Sequence, residues 1–194
     1  MRPQPHFAPP MALPRAGDDR TAVTLDVPGY RQVRNYTCGY AAALMIVRHL
    51  GVDIAGAELF RRLGTARDGT RQTALVRALR AAGVRAGVRY DLDFDRLRGA
   101  IDRGCPVIGY DHPADHWVVL YGYGVAPDRV FVADPRGDVP AVRAWRDAAT
   151  VLRGFGIVCS RREPPAALAG EEPPAGEEPP VARADARGQL LLPW

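Results

Sequence analysis

The sequence predicts an α+β domain in which N-terminal helices pack on a mainly antiparallel sheet. Three observations lead there. Helical patterning dominates residues 38–82, with apolar runs ended by Gly51 and Gly83. Strand-like runs then dominate, at 106–111, 116–124, 129–135 and around 154–160. The short APD link between the second and third of these runs suits a hairpin. Helices first and a hairpin-linked sheet afterwards describe an α+β layout rather than alternating βαβ units.

Taken in order, residues 1–21 read as a disordered or loosely attached arm, because prolines recur and no periodicity holds. TLDVPGYRQ suits a short strand followed by a turn at Pro28-Gly29. CGYAAALMIVRHL, residues 38–50, is a deeply buried helix, since Ala42, Leu44, Met45 and Ile46 lie in one apolar run. A second helix is expected over 54–63 and a third over 70–82, the latter with Ala74, Leu75, Ala78 and Leu79 on one face. VRAGVRY (84–90) reads as a strand weakened by Gly87. Residues 93–104 read as a short amphipathic helix. The three strands follow, then a loop, a short helix around 143–150 and the strand GFGIVCS. Residues 163–194 hold the acidic repeat EEPPAGEEPP and the apolar end GQLLLPW. They read as a linker and tail, the end either fraying, docking back or meeting a partner. The folded domain is therefore expected over 22–162, within the size of one domain.

Composition narrows the function. The chain has 194 residues, 47% hydrophobic, with a net charge of +4. All 26 basic residues are arginine, scattered over helices and loops without an aromatic-interleaved stripe, so no nucleic-acid partner is expected. No run of 18 apolar residues predicts a membrane span, and the N-terminus lacks the apolar stretch of a signal peptide. Three dispersed cysteines, Cys38, Cys105 and Cys159, make neither a disulfide framework nor a zinc knuckle. A free thiol fits a reducing, cytoplasmic setting, and no cofactor is called for.

One of those thiols has the setting of a nucleophile. Cys38 opens the buried helix, where unpaired amides and the helix dipole favour a thiolate. Thr37 is placed to cap that helix, and Gly39 to keep the approach uncrowded. A cysteine also needs a base. His116 opens the strand HWVVLYGYG and has a pKa suited to the task. His112, in the turn DHPAD, is its rival. Asp134 ends the strand VFVAD. Hairpin pairing of 116–124 with 129–135 brings it toward His116, where it can orient the imidazole as well as start the turn at Pro135. Gln32 carries an amide able to donate to an oxyanion, with the Cys38 N–H as a second donor. Asp111 and Asp115 flank the histidine as loop carboxylates able to raise its pKa or hold a cationic group. Cys105 and Cys159 read as core or near-core thiols.

QVRNYTCGYAAALMI, HWVVLYGYG and VFVADPRG together resemble the motif blocks of the C39-like cysteine peptidases, within the papain-like superfamily, over roughly residues 24–160. The order is glutamine, Cys-Gly six residues later, a strand-opening histidine, then Asp-Pro. The resemblance implies a papain-like fold, with Gln32 in the oxyanion hole, Cys38 as nucleophile, His116 as base and Asp134 as its orienting group. It implies hydrolysis of a peptide or peptide-like acyl substrate through an acyl-enzyme. The same residues also serve an acyltransferase or cyclase fed by a carrier or precursor peptide. A non-catalytic peptide-binding protein is a third reading. The family's best-known members cleave leader peptides after a double glycine within transporters, whose membrane and ATPase parts are not expected here. Where the family often has glycine before its histidine, this chain has Asp115.

Overall fold

The computed structural model describes residues 10, 13, 15–17, 19–137 and 141–162. The elements run β1 (Ala22–Thr24), α1 (Cys38–His49), α2 (Gly56–Leu63), α3 (Gln72–Ala81), β2 (Val84–Arg89), α4 (Phe94–Asp102), β3 (Val107–Asp111), β4 (His116–Gly124), β5 (Arg129–Ala133), β6 (Ala141–Ala144), α5 (Trp145–Leu152) and β7 (Gly156–Arg161). Each expected helix and strand has a counterpart, shifted by a few residues at the ends. β6 was not foreseen, because four residues of AVRA carry no alternation to read. Most of the expected arm, and all of the expected acidic linker with its apolar GQLLLPW end, lie outside the described residues. The described part of the arm makes contacts: Leu13 packs on the core, Arg15 pairs with Asp26 at 2.9 Å, and Ala16 N–H donates to Thr24 Oγ1 at 3.0 Å.

All strand pairs are antiparallel, in the order β2-β7-β3-β4-β5-β6, with β1 added beside β4. β4 is the central strand, and all nine of its residues are buried. Both faces are covered, so its apolar run is nearly continuous rather than alternating. On one face lie α1, α2 and α3, packed through Met45, Ile46, Leu59, Leu63, Leu75 and Leu79 onto Val119, Tyr121 and Ile157. On the other lie α4 and α5, packed through Leu97, Ile101, Ala148 and Leu152 onto Val118, Leu120 and Val132. The second helical layer goes beyond the expectation of N-terminal helices on a sheet.

Helix α1 explains its own sequence. Every residue from Cys38 to Val47 is buried, because the helix lies against β4, α2 and α3 at once. Ala41, Ala42 and Ala43 are at most 1% exposed, and larger side chains at these positions would hold the neighbouring elements apart. The Cys38 end of α1 is thereby held against the start of β4, the contact on which the site depends.

Candidate functional site

Cys38, His116, Asp134 and Gln32 come from three separate parts of the chain, and the fold gathers them. Cys38 is the first residue of α1 and is buried. His116 is the first residue of β4 and is 2% exposed. Its Nε2 lies 2.6 Å from Asp134 Oδ1, and the Cys38 thiol is close enough to act on its charge. With Nε2 taken by the carboxylate, Nδ1 is the nitrogen left for sulfur. The arrangement is a line: thiol, imidazole, carboxylate.

A β-bulge brings the last two groups together. β5 pairs Gly122 with Phe131 but Leu120 with Val132, so Tyr121 is an extra residue on β4. Beyond the bulge the register sets Val119 opposite Ala133. Continued by one residue, it sets Asp134 opposite Val118, on the face that His116 shares. Without the extra residue Asp134 would fall opposite Val119 and face the other way. Asp134 also closes its own turn, accepting the Arg136 N–H at 2.8 Å through Oδ1 while its carbonyl accepts the Gly137 N–H at 3.0 Å.

The charges support one another. Burial pushes the Cys38 thiol up, but the His116 hydrogen bond, the amides of Trp117 and Gly39 and the charge on His116 outweigh it and bring the thiol below its ordinary value. Burial pushes His116 down, but hydrogen bonds to Asp134 and Cys38, with their charges, leave it above the ordinary imidazole value. Asp134 is held below the usual carboxylate range despite burial, by His116 and the Arg136 amide. Each of these directions favours the charged form of its group.

Gln32 joins through the same loop. Its N–H donates to the Pro135 carbonyl at 2.8 Å, so the segment after Asp134 also holds the glutamine. Its Oε1 is buried without a hydrogen-bond partner among the described residues. The two ends of a side-chain amide exchange by a half turn, so either its oxygen or its NH2 group can take this buried position.

Several neighbours differ from expectation. Thr37 does not cap α1: its hydroxyl donates to the Arg34 carbonyl at 2.9 Å and accepts the Arg34 N–H at 3.2 Å, closing the preceding turn. The Thr37 hydroxyl therefore takes none of the first-turn amides of α1. Gly39 does not leave space for an approaching molecule. A Cβ there would lie 2.7 Å from Thr70 Cβ and 3.0 Å from Trp117 Cδ1, so the glycine lets the helix end close onto both. Asp111 is not a loop residue but the buried end of β3, its Oδ1 accepting the Ala114 N–H at 3.2 Å. Asp115 has φ 50, the left-handed region that glycine fills most easily, and its carboxylate accepts the Tyr110 hydroxyl. His116, not His112, takes the Asp134 carboxylate, and the His112 ring lies edge-on to Tyr110 at 5.0 Å. Cys159 is fully buried and its thiol is pushed up, as suits a core cysteine. Cys105 is half-buried.

Trp117 escaped the sequence reading. Its backbone N–H helps lower the Cys38 thiol, and its indole N–H donates to the Thr70 carbonyl at 2.8 Å. A tryptophan next to the histidine was the available signal, but its apolar neighbours made it look like core.

A buried cysteine helix set against an antiparallel sheet that carries histidine and aspartate is the layout of a papain-like domain. Comparisons with known proteins agree. The sequence profile of the peptidase C39 family matches residues 26–144, and the chain belongs to that family. An uncharacterised protein of Methanothermobacter marburgensis is 33% identical over 135 residues, 69% of this chain and 88% of that protein. The fold is shared with a double glycine motif protease from an AMS/PCAT transporter, solved with its leader peptide (TM-score 0.58, 18% identity, 71% of this chain and 94% of that one). It is shared too with a C39-like peptidase from Bacillus anthracis (TM-score 0.56, 16% identity, 73% and 99%). Among the described residues, no helix is long and apolar enough to cross a membrane.

Proposed function

We propose that this chain is a cysteine peptidase acting through an acyl-enzyme on Cys38. The observation that carries the reading is the continuous Cys38–His116–Asp134 line, with the thiol lowered and the imidazole raised. A core cysteine has no use for a buried histidine that is itself braced by a carboxylate. The family and the fold support the same chemistry. The leader peptide held by the transporter protease favours a peptide as the acyl donor.

The Cys38 thiolate adds to the scissile carbonyl carbon, forming the C–S bond while the carbonyl π electrons move to oxygen. The Gln32 side-chain amide and the Cys38 N–H, in the first turn of α1, are the donors for that oxyanion. His116, as imidazolium, gives its proton to the departing amine nitrogen as the C–N bond breaks. Neutral His116 then takes a proton from water as the water oxygen adds to the thioester. Collapse of the second tetrahedral species releases the carboxylic acid and restores the thiolate. Asp134 holds the ring through Nε2 and steadies the imidazolium at both stages.

Alkylation by iodoacetamide near neutral pH, resolved by peptide mass mapping, tests the reading. Cys38 is expected to react at least about tenfold faster than Cys105, despite deeper burial, with Cys159 inert. Reaction of Cys38 no faster than Cys105 sinks the activated nucleophile.

A further inference from the structure

Near Cys38 lies a cleft of about 430 Å³ lined by four rings, Tyr110, His112, Trp117 and Phe155, together with exposed Asp68 and Arg71. The rings form a closed circuit. Centroids lie 4.6 Å apart for Tyr110 and Trp117, 6.0 Å for Trp117 and Phe155, 6.5 Å for Phe155 and His112, and 5.0 Å for His112 and Tyr110. Trp117 and Phe155 are about 5% exposed or less, so the inner walls are set by the core. The cleft lies near the start of α1, since a Cβ at Gly39 would be 3.0 Å from the Trp117 ring, and the Cys38 charge is felt at Tyr110.

The charges select no ion. Asp68 and Arg71 are opposite in sign, and the Asp115 carboxylate is engaged by the Tyr110 hydroxyl. Besides the neutral Thr70 and Gln72, what remains is flat, polarisable wall, which favours offset or edge-on contact with another ring. A glycine beside the scissile bond would leave this space without a side chain.

Resting on the peptidase reading above, we propose that this cleft receives a large aromatic side chain on the acyl side of the scissile bond, so that the chain selects aromatic peptides rather than glycine-only junctions. The test uses the full chain and N-acetyl dipeptide vinyl sulfones carrying Phe, Tyr, Leu, Arg or Gly at either position, with adduct formation at Cys38 followed by intact mass. Phe or Tyr at one position is expected to react about tenfold or more faster than Gly. Phe155→Ala is expected to bring the Phe-to-Gly ratio toward one. His112→Ala, which removes an exposed ring, is expected to lower the same ratio without bearing on the core. Equal rates, preference for Gly or Arg, an unchanged ratio in both variants, or no adduct while iodoacetamide still modifies Cys38 first overturns the proposal. Loss of the iodoacetamide preference instead overturns the peptidase reading, so the two failures are distinguishable.

Discussion

Asp134 shows how much rests on a single side chain: it braces His116, closes its own turn and begins the loop that holds Gln32. Its pKa and that of His116 move in opposite directions, so their linkage to stability has a definite shape. The raised histidine contributes fully below its free value near 6.5, and the contribution fades as pH rises through the higher folded value. The lowered aspartate contributes fully above about 3.9, and fades as pH falls through the lower folded value. Both are complete between about 4 and 6.5, so Asp134→Asn is expected to lose most stability there, with a smaller loss at either side. Urea midpoints across pH check this, and a loss independent of pH would sink it. The same variant is expected to move the rise of Cys38 alkylation to higher pH, because the thiolate loses its braced imidazolium. At this scale Cys38, His116 and Asp134 stood out as candidates, since a nucleophile, a base and an orienting acid are chemically distinctive. Trp117 and Tyr110 were not, because an aromatic residue in an apolar strand reads the same whether it lines a core or a cleft.

At the scale of elements, the site is one helix end meeting one strand end. Gly39 sets how closely they meet. Gly39→Ala would force its Cβ against Thr70 and Trp117, and the expected cost is about 1–3 kcal/mol of stability. Slower alkylation of Cys38 should accompany it, as the Trp117 amide then lowers the thiol less. Chemical denaturation with a parallel alkylation rate measures both. An alanine variant as stable as the parent would show that the contact is not tight. The bulge at Tyr121 was invisible in sequence. Hairpin pairing predicted that residues 116 and 134 approach, but which face Asp134 takes depends on one unpaired residue, and nothing in YGYG distinguishes a bulge from regular strand.

At the scale of the molecule, the sheet separates two apolar clusters, and Cys38 and Trp117 belong to the one on the α1 side. Leu97 is fully buried in the other cluster, with α4 and α5. Leu97→Ala is expected to destabilise the fold by about 2–5 kcal/mol while the native protein keeps its preference for Cys38 over Cys105. Thermal melting and mass-mapped alkylation read the two effects separately. Loss of the preference in folded protein would mean that the layers are coupled more tightly than the clusters indicate.

The sequence by itself determined the order of elements and the types of residue able to do thiol chemistry, because hydrophobic period and side-chain chemistry are local properties. It also placed His116 and Asp134 at neighbouring strand ends, because a short turn leaves a hairpin little choice of pairing. The tertiary structure alone decided what depends on approach through space. It turned Thr37 back on Arg34, closed Gly39 onto Thr70 and Trp117, put Asp134 on the face of His116, and joined rings from positions 110, 112, 117 and 155 near the start of α1. Such contacts have no signature along the chain, since each is set by the packing of whole layers against one another.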